Sequence, residues 1–213
     1  MRNEFMIRFI GDTHANFRLY RAVATAPVET DDWTNKIFVP SIQVGDFGMG
    51  FNTAPPILAP EHRFIRGNHD NPQLCAEHPN WIADGSVEDL PSGAKMILIG
   101  GAFSVDKDMR VEGDEQLPQA ALKRLCEVYG DVKPTVMVTH DCPEVVAWDL
   151  FPGHMKFRYP SRTRQAFQTM LAIHKPERWI FGHWHRSRNT VVGSTQFICL
   201  RKVCKSGLPT IAI

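Results

Sequence analysis

Two histidines stand two residues apart in the stretch "FGHWH", His183 and His185, just after an apolar run and a glycine. Alternate residues of extended backbone share a face, so both rings can address one object, and imidazole is the commonest metal-binding side chain. The arrangement recurs. The first polar residues after each short apolar run are Asp12 and His14 in "GDTH", Asp46 in "GDFG", Asn68 and His69 in "GNHD", and His140 in "THD". Seven of these (Asp12, His14, Asp46, Asn68, His140, His183 and His185) exceed what one tetrahedral or octahedral ion can use while keeping a place for water. They suit two ions if one carboxylate bridges with its two oxygens. Two metals about 3.5–4 Å apart clamp the attacking and leaving oxygens of a displacement at phosphorus. Oxygen and nitrogen ligands without thiolate suit manganese, iron or zinc, as divalent or trivalent ions, with manganese the leading choice.

The elements that must present these residues are short, β-branched and apolar. "FMIRFI", "KIFVPSIQV", "HRFI", "KMILI", "PTVMV" and "RWIF" each end in one of the glycine-containing or polar loops, the pattern of buried strands. Amphipathic stretches lie between some of them. Residues 16–26 put Phe17, Tyr20 and Ala24 on one face, with Asn16 as N-cap. Residues 118–129 begin at Pro118 and repeat Ala121, Leu122, Leu125 and Cys126; residues 162–174 follow a capping Ser161 and repeat Phe167, Met170 and Leu171. Strands alternating with helices predict an α/β fold, and residues 81–105 read as consecutive strands joined by turns, so the sheet is mixed. Ligands in such folds bind beyond the carboxyl ends of the strands, where the polar residues above fall.

The 213 residues suffice for one domain spanning 1–213 with a sizeable core. A net charge of +1 argues for neither nucleic acid nor a membrane surface, so an anionic substrate must be drawn by a local site. Five scattered cysteines without a CxxC pattern suit reduced thiols in a cytoplasmic protein. No stretch has the roughly 18 apolar residues of a membrane helix, and Arg8 interrupts any signal-like run at the start.

In this order, "GDTH", "GDFG", "GNHD", "TH" and "GHWH" resemble the calcineurin-like metallophosphoesterase family, from residue 11 to residue 185 and most like its small bacterial and bacteriophage members. The resemblance implies a two-sheet mixed β-sandwich flanked by helices, in four layers. It implies that Asp12, His14 and His185 bind one metal, that Asn68, His140 and His183 bind the other, and that Asp46 bridges. His69 is then no ligand but the acid for the leaving oxygen. The implied activity is hydrolysis of phosphate mono- or diesters by a metal-bound hydroxide, on a phosphorylated small molecule or a phosphodiester, nuclease-type diesters included. A non-catalytic scaffold on the same fold is the rival, against which the intact His69 and seven ligand positions stand.

Met49 and Gly50 occupy the places where the protein-phosphatase branch carries Asp and Arg, which argues against a phosphoprotein substrate. Asp70 follows His69 and is a candidate partner for catalysis; the sequence does not say whether it reaches that imidazole. Arg66 reads equally as a phosphate contact or as a strand-flanking cation. Arg162 and Arg164 fall in the first turn of a helix, where cations are disfavoured by about 0.3–1 kcal/mol each unless an anion shares the site. With Arg158 nearby, this turn is a candidate anion site, as exposed N–H groups and arginines both grip phosphate. Two solvated arginines are the alternative.

Overall fold

A computed structural model describes residues 6–28, 36–104, 115–154, 160–203 and 210–212. Its elements in chain order are β1 (Met6–Ile10), α1 (Phe17–Ala24), β2 (Ser41–Val44), β3 (His62–Ile65), α2 (Pro72–Glu77), β4 (Ser86–Asp89) and β5 (Lys95–Ile99). There follow α3 (Gln119–Val132), β6 (Val136–Thr139), α4 (Glu144–Leu150), α5 (Arg162–Ile173), β7 (Arg178–Phe181), β8 (Arg188–Val192), β9 (Thr195–Cys199) and β10 (Thr210–Ala212). One sheet has the order β10-β1-β2-β3, the other β4-β5-β6-β7-β9-β8. β1, β2 and β3 run parallel, as do β5, β6, β7 and β9, while β10, β4 and β8 are antiparallel edge strands.

The period-two alternation of the strands builds four layers. Ile7 and Phe9 of β1, Ile42 and Val44 of β2, and Ile65 of β3 face Met96, Leu98, Val136, Val138, Ile180 and Ile198 of the second sheet. The alternate residues point outward. On the first sheet Ile10 and Phe64 meet Phe17, Tyr20 and Val23 of α1 and Cys75 of α2. On the second, Met137, Trp179, Phe181 and Phe197 meet Tyr129 of α3, Val146 of α4, and Phe167 and Met170 of α5. Strands buried on both faces are what near-continuous apolar runs require, and this is the expected two-sheet mixed sandwich flanked by helices.

Local signals act where expected. The Asn16 side chain accepts from Leu19 N at the start of α1, and Ser161 Oγ accepts from Arg164 N at the start of α5. Two boundaries differ. β2 begins only after Pro40, whose ring nitrogen has no hydrogen for a ladder, so "KIFVPSIQV" contributes four strand residues. Pro118 precedes α3 as its N-cap, and the helix runs to Val132.

Candidate metal centre

All the expected ligand residues lie just past the carboxyl ends of five strands, β1, β2 and β3 of one sheet and β6 and β7 of the other. The two sheets pack so that these ends share one rim, and the loops draw their side chains into two adjoining groups. Asp12, His14, Asp46 and His185 form one, with ligand atoms all within 4.8 Å of each other; Asp46, His140 and His183 form the other. Asp46 belongs to both.

In the first group His14 Nε2 and His185 Nε2 stand 2.9 Å apart. His185 Nε2 lies 3.0 Å from Asp12 Oδ2, and His14 Nε2 lies 3.7 Å from Asp46 Oδ2. In the second, His140 Nε2 is 3.3 Å from Asp46 Oδ1 and 3.0 Å from Asn68 Oδ1. The two Asp46 oxygens therefore face different groups. Each carboxylate is anchored through one oxygen by a backbone donor: His183 N donates to Asp12 Oδ1 and His69 N to Asp46 Oδ1, both at 3.0 Å.

These contacts call for cations. The Val44 carbonyl can only accept, so the 2.8 Å bond from His140 Nδ1 puts that ring's hydrogen on Nδ1. Its Nε2 then presents a lone pair to two oxygen acceptors, a repulsive arrangement until a proton or a metal ion lies between them. Without metal a proton serves. Burial opposes the charged imidazolium, but the Asp46 carboxylate outweighs it and lifts His140 to about 10. Burial likewise opposes ionisation of Asp46, yet His140, His69 and His14 hold its carboxyl far below the usual range. Burial lowers His14 to about 4 and lowers His183, so both imidazoles are neutral at neutral pH, the form that can bind a metal. A hydrogen bond to Asp12 raises His185. The donor set of nitrogen and oxygen atoms fits transition-metal ions.

The backbone is bent to make this fit. Six non-glycine residues among those described have positive φ, and four are expected ligands: His14 (44°), Asp46 (54°), His183 (69°) and His185 (53°). Such conformations cost of order 1–3 kcal/mol each and concentrate at functional sites. Two glycines let the backbones close up. A Cβ on Gly67 would collide with Asp46 Oδ1, and one on Gly182 with Asp12 Oδ1.

The remaining candidates sit as follows. His69 is buried, its ring 5.6 Å from that of His14. Asp70 is fully engaged by backbone: Oδ2 accepts from Phe47 N and Gly67 N, and Oδ1 from Gly48 N and Met49 N. It ties the Asp46 loop to the Asn68 loop. Arg66 is buried, donating through Nε to Asp84 at 2.8 Å. Arg162 donates to the carbonyls of Leu117 and Gln116 at 2.7 and 3.0 Å. Arg164 is buried, its guanidinium 3.9 Å from Asp141 and over the Trp184 ring. At the start of α5 the Thr163 and Arg164 N–H groups already donate to Gln116 and Ser161 side chains. The first turn of α5 is thus capped by side chains, and its arginines have partners within the protein; Arg158 lies outside the described residues. Sequence reasoning missed Asp141 and Trp184, which flank the ligands. A carboxylate directly after an expected ligand histidine and a tryptophan between two others are the available signals. The 49–57 loop and α2 line an open depression of about 600 Å³, bordered among others by Met49, Phe51, Leu74 and His78.

With this geometry in hand, the sequence model of the calcineurin-like phosphoesterases matches residues 5–187. No curated protein matches the chain. Solved structures share the fold. The protein TT1561 of Thermus thermophilus has a TM-score of 0.53 at 9% identity, covering 94% of this chain and 90% of that one. A phosphopantetheinyl hydrolase from Mycobacterium tuberculosis has 0.50 at 18%, covering 95% and 91%. A putative 5'-nucleotidase from Staphylococcus aureus has 0.50 at 10%, covering 94% of this chain but 49% of that longer one.

Proposed function

From the premise that the chain belongs to the calcineurin-like phosphoesterase family and is a metal-dependent phosphoesterase, we propose that it hydrolyses phosphate mono- or diesters at a centre of two ions, with Asp46 between them. One observation carries the reading: the two oxygens of Asp46 face two separate ligand groups, one with His14, the other with His140. Asp12, His14 and His185 would hold one ion, and Asn68, His140 and His183 the other. Bound there, the ions would supply the activation of a water nucleophile and the neutralisation of phosphoryl charge.

The chain's own residues supply the rest. Asp12 and Asp46 are each fixed in orientation by a backbone N–H, so their carboxylates need no reorganisation to receive cations. His69, outside both ligand groups and close to His14, gives a proton to the leaving oxygen. Asp70 holds the Asp46 and Asn68 loops in register and touches no substrate. The arginines enter this reading as scaffolding. Manganese is the proposed metal and the cytoplasm the proposed location; no helix among the described residues is long and apolar enough to cross a membrane.

The test is a panel of aryl phosphate and bis-aryl phosphate esters, run with the metal-free chain reloaded with Mn²⁺. Metal-dependent turnover of either class supports the proposal. A chain that binds two ions and turns over neither is the non-catalytic scaffold.

A further inference from the structure

Trp184 occupies the one position between the two ligand histidines of "GHWH", and its neighbours on both sides are left-handed, His183 at φ 69° and His185 at φ 53°. Non-glycine residues hold such conformations only where surrounding contacts over-determine them. The contacts here converge on the indole. Trp184 Nε1 donates to Asp141 Oδ1 at 3.1 Å. Its ring stacks on Phe151 with centroids 4.4 Å apart and planes 6° apart. The Arg164 guanidinium lies 5.8 Å from the ring centre, within cation–π range.

Asp141 is itself a built feature. It is wholly buried and follows the ligand His140 directly. Its Oδ1 also accepts from Cys142 N at 2.8 Å, and its Oδ2 stands 3.9 Å from Arg164 Nη1. A buried carboxylate of this kind is costly without a charged partner, which Arg164 supplies from α5. The loop after β6, the loop after β7 and the first turn of α5 are thus pinned together at the indole. A chain reversal alone would accept a small residue at 184.

We propose that Trp184 is a positioning residue for the metal centre: anchored by Asp141, Phe151 and Arg164, it holds the strained turn so that His183 and His185 each reach a different ion. The inference rests on the reading of both histidines as ligands. Orientation of ligand side chains by groups behind them commonly governs metal affinity by about 10–100-fold.

The experiment titrates the metal-free full chain with Mn²⁺ by calorimetry, for the wild type, Trp184→Phe, His183→Ala and His185→Ala. Trp184→Phe keeps an aromatic ring against Phe151 and loses the indole N–H. The expected result is a 10–100-fold weaker affinity for at least one ion, with the thermal midpoint of the metal-free protein close to that of the wild type. In the wild type, the indole N–H signal that Trp184→Phe removes from a ¹H–¹⁵N spectrum should shift on metal loading. Wild-type affinity in Trp184→Phe, or an indole signal indifferent to metal, overturns the inference; should Trp184→Phe fail to fold, the wild-type spectrum decides, the signal being assigned through Asp141→Asn. Full metal binding by both histidine variants instead overturns the ligand reading beneath it.

Discussion

Asp70→Asn removes one charge and turns one carboxylate oxygen into an N–H donor. In the wild type each oxygen accepts two backbone N–H groups, those of Phe47 and Gly67 on Oδ2 and those of Gly48 and Met49 on Oδ1. Whichever way the new amide turns, two buried donors face a donor. Each buried N–H left without its acceptor costs about 1–3 kcal/mol, so the pair costs roughly 2–6 kcal/mol. An opposing effect reduces this. Burial, and then the nearby Asp46, push the Asp70 carboxyl above its ordinary range, so neutralising it relieves some desolvation and repulsion. The net expected loss is roughly 2–4 kcal/mol, large beside a typical total of about 5–15 kcal/mol. Urea unfolding of the metal-free protein measures it as a lower midpoint at unchanged slope. Metal affinity should fall as well, because the brace joins the loops of Asp46 and Asn68. A variant within about 0.5 kcal/mol of the wild type would refute the idea that four backbone donors depend on this side chain.

Other outcomes follow from the centre's geometry. Asp46→Asn should weaken both ions, since both ligand groups share that carboxylate; full occupancy by metal analysis would count against sharing. His69→Ala should lower turnover by roughly 10²–10⁴ with metal content near normal, and the deficit should shrink for good leaving groups; loss of metal would make His69 a ligand. Metal loading near neutral pH should release about one proton per chain or more, chiefly that of His140, which Asp46 holds protonated up to about pH 10 against the effect of burial, with a share from His185, raised by its hydrogen bond to Asp12. As the raised pKa of His140 means the proton is bound below about 10 and lost above it, affinity should climb with pH across that window. Calorimetry in buffers of different ionisation enthalpy measures the release, and none at neutral pH would contradict the pairing.

Much of this was legible in the residues because β-branched runs ending at glycine mark strand ends, and strand ends are where an α/β sandwich collects its ligands. Asn16 and Ser161 marked helix starts through the oxygens they offer the first turn. The six residues of α2 and seven of α4 are too short for helical periodicity to show. The arginines of α5 show what sequence leaves out. Sequence places Arg162 and Arg164 in a first turn but cannot show that Gln116 and Leu117 carbonyls, Asp141 and the Trp184 face wait for them. Asp70 showed the same limit. Its place after His69 leaves its partner open, and the four backbone N–H groups that converge on it do so only once the loops after β2 and β3 are folded together.

The most direct test of the two-ion centre is stepwise Mn²⁺ addition to the metal-free chain, following bound metal and aryl phosphate hydrolysis in the same samples. Activity is expected to rise chiefly with the second equivalent and to level off at about two ions per chain. Full activity at one bound ion per chain, with the second equivalent left free in solution, would contradict it.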